Sequence, residues 1–378
     1  MQASSMTAAS MQAAGNGVKG DSHMRNVILH AADLDGFLEP GDRRNIDSMS
    51  LMYGRAVELF RSYAEADAGA RKKSAEKKLI AFYNEMGDRM REITGAYRAV
   101  HVYSFETHDT IHGEASRLIA KLRNAATEQP EFIYYVQRAY ELLFNFAFVG
   151  TGLRKKNYMI VRTPVDVPVQ NYAVHKIPDI QPMVSDAVMC VLLRGALLPS
   201  MILSKEIEEF SSDRYVTPFA LFKISRDDRR EEHTMVYTLM LDRSYFDLDA
   251  LHGKDLFFAD PMNATGGSLI TIVRYLTERG IRPRSIKTFN VVSALKGALR
   301  IMRAFDNAEV YTLWMDPALN RKAYIVPGLG DAGDRLNGPD REKSPRDIIQ
   351  LIAGYGAGIA ALYRSQVRKI EQTVLGSS

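Results

Sequence analysis

The stretch LFFADPMNATGGS, Leu256 to Ser268, constrains this chain more than any other. Leu256, Phe257, Phe258 and Ala259 form a short apolar run that suits a strand buried on both faces. Asp260 ends the run, and Pro261 cannot continue a central strand. Met262 and Asn263 lead into a small loop, Ala264-Thr265-Gly266-Gly267-Ser268, and the LITIVRYLTERG that follows repeats its apolar residues at helical spacing. Strand, small-residue loop and helix start together make an anion site. Glycine lets the backbone approach a ligand, and the free amides of a helix N-terminus point at it. Thr265 and Ser268 add hydroxyl donors. An acid just ahead of the loop suits a sugar phosphate better than a bare phosphate, because ribose hydroxyls or a metal need an acceptor. The competing reading is a βα turn with no ligand, since such loops of about 2–6 residues are common.

Bulk properties exclude several classes. The 378 residues are enough for a large core, and 46% hydrophobic with 25% charged is ordinary for a soluble protein. A net charge of +4 from 49 basic and 45 acidic residues is too balanced to argue for a nucleic-acid partner. No apolar stretch approaches the ~20 residues of a membrane span, and the first residues lack a basic start followed by an apolar core. The expectation is a cytoplasmic protein. The single cysteine, Cys190, excludes an intramolecular disulfide and a cysteine-based zinc site, and its apolar neighbours make it a buried small hydrophobe. His108 and His112 stand four apart but have no third ligand nearby, so no protein-held metal is expected there.

In order along the chain, residues 1–24 read as a disordered tail. Residues 25–104 read as a helical extension. From Asp47, Met49, Met52, Tyr53, Val57 and Phe60 make one stripe; Arg71-Lys72-Lys73 interrupts it; Leu79, Phe82, Met86, Met90, Ile93 and Tyr97 make a second. Ala187–Leu193, Phe219–Ile224, Ile286–Val292 and Val310–Met315 are apolar runs bounded by polar turns and separated by helical segments. That alternation predicts an α/β fold, a parallel sheet covered by helices on both faces. Loops starting at Arg194, Arg226 and Asp260 follow the C-terminal ends of such runs, where open α/β sheets bind ligands. A C-terminal helix closes the chain over 341–378, with Ile348, Ile352, Tyr355, Ile359 and Leu362 as its stripe.

DPMNATGGS resembles the DPMLATGGS signature of the uracil phosphoribosyltransferases. A second string, AYIVPGLGDAGD from Ala323 to Asp334, resembles that family's GYIxPGLGDAGD segment. The resemblance starts near Phe105 and covers 105–340, implying a type I phosphoribosyltransferase fold. Val161-Arg162-Thr163-Pro164 resembles the short strand that leads into the family's core, and Arg194-Gly195-Ala196-Leu197 stands where the family has Arg-Ala-Gly-Leu. Departures include Asn263 for leucine, the Gly195-Ala196 inversion, and Ala323 for glycine.

The resemblance implies transfer of a 5-phosphoribosyl group from 5-phosphoribosyl 1-diphosphate (PRPP) to uracil, giving UMP and pyrophosphate. Pro261 to Ser268 would then bind PRPP, with Thr265 to Ser268 anchoring its 5′-phosphate, Asp260 holding the ribose hydroxyls, and Arg194 the leaving pyrophosphate. Arg226 would add a second cation from a mobile arm, with Lys223 and Arg229 as rivals. Tyr324, Ile325, Pro327, Gly328, Gly330, Asp331 and Ala332 would hold uracil, largely through backbone, and Asp331 would also reach the ribose side. Mg2+ is the implied cofactor, held mainly by PRPP. A homodimer or higher homo-oligomer and a GTP activator are implied as well. Two alternatives stand beside this: a nucleotide-binding regulator without turnover, and the same chemistry on another base. No G-x-x-x-x-G-K-[ST] loop occurs, so a fused uridine kinase is not expected.

Overall fold

The computed structural model describes residues 26–149, 156–164, 172–211, 215–338, 350–351 and 354–355. The expected tail over 1–24 and nearly all of the expected helix over 341–378 lie outside the described residues. Within them, six strands run parallel in the order Phe219–Arg226, Ala187–Leu193, Asp255–Ala259, Ser285–Ala294, Ala308–Asp316 and Val100–Val102. Val236–Tyr245 adds antiparallel to Phe219–Arg226, and Asn26–His30 adds antiparallel to that. Met262–Asn263 forms a short extra pairing with Ser285–Ala294.

The apolar runs are strands for the reason read from them: both faces are covered. Asp255–Ala259 is buried at every position. Helices Gln129–Phe144 and Leu197–Phe210 pack together and against the central strands, while Gly267–Glu278 and Leu295–Ala304 form a second packed pair. Between helix and sheet, Phe148, Phe257 and Phe289 have ring centroids 5.5–5.8 Å apart. Burying each such ring contributes about 2–3 kcal/mol. This is the helix-covered parallel-sheet α/β class that the sequence predicts.

Residues 25–104 depart from a purely helical extension. Asn26–His30 and Val100–Val102 are strands of the same sheet, one at each edge. Between them, helices Pro40–Glu65 and Ala70–Gly95 form a hairpin. The first starts at Pro40 and not near Asp47, because Pro40 presets the first turn and the Asp42 carboxylate accepts from the Glu39 amide at 3.0 Å. The break falls at 66–69, where Gly69 has φ 121°, and Arg71–Lys73 belong to the second helix. Met49, Met86, Met90 and Ile93 are buried as predicted, whereas Val57 and Phe60 are exposed.

Val161 and Arg162 lie in a strand that ends just before Thr163-Pro164, as the resemblance implies, and that strand stands outside the main sheet. They end the strand Lys156–Arg162, which pairs only with Tyr172–Pro178 in a separate antiparallel ribbon. Tyr158, Ile160 and Val174 are exposed on it, so nothing in the described chain buries its apolar residues.

Because Leu29 is buried in the edge strand opposite Tyr237, Leu29→Asp is expected to cost about 3 kcal/mol in urea unfolding. Ile28→Asp, on the exposed side of the same strand, should change stability by less than about 1 kcal/mol. Equal effects would mean that the extension's strand is not an integral part of the sheet.

Candidate active site

A cavity of about 340 Å³ opens at the C-terminal end of the parallel strands. It is lined by every residue from Asp260 to Ser268 and by Arg194, Lys223, Arg226, Asp331 and Ala332. Three loops read separately from the sequence thus meet in one place. Arg229 does not line it; its side chain is exposed and paired with Asp227 at 2.9 Å. Tyr324, Ile325, Pro327, Gly328 and Gly330 do not line it either, so most of the candidate base segment sits beside the cavity and not on its wall.

The Gly-rich loop is held by close backbone contact. Gly266 has φ 75°, which an L side chain rarely adopts, and ends at the helix Gly267–Glu278. A Cβ on Gly267 would fall 2.3 Å from the Tyr237 ring, and one on Gly297 would fall 2.6 Å from the Ala264 carbonyl oxygen. Tyr237 Oη lies 2.6 Å from Thr265 Oγ1, which also accepts from the Gly267 amide at 3.2 Å. Asn263, a departure from the family string, donates to Ser293 Oγ at 2.9 Å and so ties the loop's floor to the next strand.

Asp260 is held at the head of the loop. Its Oδ1 accepts from the Met262 amide at 3.3 Å, and Asn290 Nδ2 donates to its carbonyl at 2.8 Å. Burial pushes its carboxyl up to about 6; the Met262 amide and the Arg226 charge oppose that, and the Asp331 charge reinforces it. Asp331 caps the helix Ala332–Asn337 by accepting from the Asp334 amide at 2.9 Å.

Both candidate cations are partnered. Arg194 pairs with Asp334 at 3.1 Å and donates to the Gly338 carbonyl at 3.2 Å. Arg226, the last residue of its strand, pairs with Asp228 at 2.7 Å and lies 4.6 Å from the Tyr324 ring centroid. Arg226 therefore bridges the cavity and the AYIVPGLGDAGD segment. Within that segment Ile325–Val326 pairs with Ala318–Leu319, and the Gly328 amide donates to the buried Asp316 at 2.9 Å. Ala323 has φ 62°, a conformation that favours the glycine of the family string. Gly195 lies against Gly333, where a Cβ would stand 3.4 Å from its Cα, so the Arg194 loop and this segment touch through backbone.

Tyr237, Thr288 and Asn290 also line the cavity and were not legible as site residues. Thr288 and Asn290 alternate on one strand, but nothing local distinguishes them from any other buried polar pair. Among the described residues no group of three or more His, Cys, Asp or Glu is placed to hold a metal ion. None of their helices is long and apolar enough to cross a membrane.

A parallel sheet whose C-terminal edge carries an acid, a Gly-rich loop and a helix start is the arrangement that the resemblance to a type I phosphoribosyltransferase implies. Residues 219–338 match the family model described as uracil phosphoribosyltransferase. The uracil phosphoribosyltransferase of Bifidobacterium longum is 28% identical over 236 residues, 62% of this chain and 98% of that protein. Those of Limosilactobacillus fermentum and Streptococcus suis are 45% and 44% identical over 85 and 109 residues, 22% and 29% of this chain. The chain spans only 40% and 50% of those two relatives. Among solved structures, the AQ2163 protein from Aquifex aeolicus is 21% identical with a TM-score of 0.43, covering 63% of this chain and 98% of that one.

The Gly267–Tyr237 contact is directly testable. Gly267→Ala should cost about 1–3 kcal/mol by overpacking, and most of that cost should vanish in a Tyr237→Ala background. An additive double-mutant cycle would mean that the ring does not press on the loop.

Proposed function

We propose that the protein transfers the 5-phosphoribosyl group of PRPP to uracil N1, releasing pyrophosphate. The observation that carries this reading is the single cavity uniting the Asp260–Ser268 loop with Arg194, Arg226 and Asp331. In the reaction the C1–pyrophosphate bond breaks, the ribose carbon becomes cation-like, and uracil N1 bonds to it while losing its proton. Positioning and charge stabilisation supply most of the acceleration in such a step.

The Ser268 and Leu269 amides, at the N-terminus of a 12-residue helix, suit the 5′-phosphate. Thr265 Oγ1 accepts from the Gly267 amide; when Tyr237 Oη acts as the donor in their 2.6 Å contact, the threonine's own proton is left for a phosphate oxygen. Asp260 as carboxylate accepts from ribose hydroxyls. Arg194 and Arg226 exchange their present acids for pyrophosphate oxygens, a planar fork suiting two oxygens at once. Uracil presents one edge of donors and acceptors to the backbone around Gly330 to Ala332, and buried groups left unpaired by another base penalise that base.

The acids lining the cavity, Asp228, Asp260 and Asp331, fit a magnesium ion that takes most of its ligands from PRPP, since they form no three-carboxylate cage. When bound, such an ion neutralises developing charge on the leaving pyrophosphate.

The reading is tested by pyrophosphate release from PRPP and Mg2+ with uracil, cytosine, hypoxanthine or orotate. Release with uracil alone, reduced about 100-fold or more by Asp260→Asn, is the expected result. Release with another base would reassign the specificity. Silence with all four, with PRPP still bound by calorimetry, would leave a nucleotide-binding regulator. The pH profile gives an independent check. Because burial raises the Asp260 pKa, its carboxylate is present above about 6 and is lost as pH falls through that value. kcat/KM for PRPP should therefore fall on the acid side with a midpoint near 6, and a profile flat down to pH 4.5 would contradict that role for Asp260.

A further inference from the structure

Arg300 is the largest fully buried side chain described, and it is charged. It stands on helix Leu295–Ala304, one turn beyond Gly297, where that helix meets the Gly-rich loop backbone to backbone. Its guanidinium joins three separate parts of the chain. It ion-pairs with Asp35 of the N-terminal extension, lies 3.2 Å from Glu232 Oε1, and donates to the Thr265 carbonyl at 3.4 Å. Lys296 supports Glu232 from the same helix at 2.9 Å. The Glu232 amide donates to the Arg321 carbonyl at 2.7 Å, which ties the turn after Arg226 to the stretch before Ala323.

A buried cation needs acids that compensate it, and here one acid comes from the extension and one from the turn after Arg226. We propose that Asp35, Arg300 and Glu232 are positioning residues for the PRPP site, through which the N-terminal extension fixes the Thr265 backbone. This deepens the proposed function and rests on it. The extension then serves as a support without which the loop's carbonyls and amides lose their alignment. Arg303 offers an internal control. It holds the extension by pairing with Asp42 at 2.9 Å, one turn along the same helix, and its hydrogen bonds and ion pairs among the described residues go to the extension and not to the loop.

The test compares Asp35→Asn with Asp42→Asn in the full chain, reading PRPP affinity by calorimetry beside Tm. Asp35→Asn should weaken PRPP binding about tenfold, Asp35→Glu should restore most of it, and Asp42→Asn should lower Tm while leaving the affinity within about twofold. Equal losses of affinity in the two Asn variants, or unchanged affinity in Asp35→Asn, would overturn the inference and leave only a structural tie. A wild-type chain that binds no PRPP would instead overturn the donor-site reading, and this inference with it. If Asp35→Asn fails to fold, Glu232→Gln gives the same comparison from the other acid, with the same expected tenfold loss.

Discussion

The architecture of the site depends on one close approach. Helix Leu295–Ala304 meets the Ala264–Gly266 backbone with no side chain between them, because Gly297 and Gly266 carry none. A methyl at Gly297 would fall within 2.7 Å of both the Ala264 carbonyl and Asn263 Oδ1. Tyr237 presses on the loop from the strand Val236–Tyr245, and Asn263 is tied to Ser293 beneath it. Packed interiors have little slack at this scale, so the loop is fixed by contact and not by its own turn propensity. Its amides are consequently arranged before any ligand arrives, which reduces the ordering cost of binding.

Charge is balanced across the same region. Arg194 and Arg226 each hold an acid outside the Gly-rich loop, while Asp260 stands in a site that burial makes unfavourable for its charge. An incoming diphosphate with its cation would compensate both conditions together: it offers the arginines new partners and gives the Asp260 carboxylate opposite charge. The cavity is thus arranged for a polyanion bearing hydroxyls, more than for a neutral ligand.

The parts legible in the sequence are those whose signal is local. LFFA must be a doubly buried strand, GG after it must be a tight turn, and LITIVRYL must be a helix; each follows from residues that touch one another along the chain. Asn26–His30 and Val100–Val102 were missed because their strand character comes from partners more than 200 residues away, Val236–Tyr245 and Ala308–Asp316. Tyr237 and Arg300 were missed for the same reason: each acquires its meaning only when the sheet and helix bring it to Thr265. The long strings carried most of the rest, and Ala323 shows their limit: its φ of 62° keeps the backbone of a glycine while the residue differs.

The central claim is that the preformed Asp260–Ser268 loop is where PRPP sits. Hydrogen exchange of the full chain with and without PRPP and Mg2+ tests it most directly, because it reads the loop amides whether or not turnover occurs. The account predicts new protection concentrated in peptides spanning 260–269, with smaller protection at 194–197 and 226–235. Protection confined to other segments, with 260–269 unchanged at saturating PRPP, would contradict it.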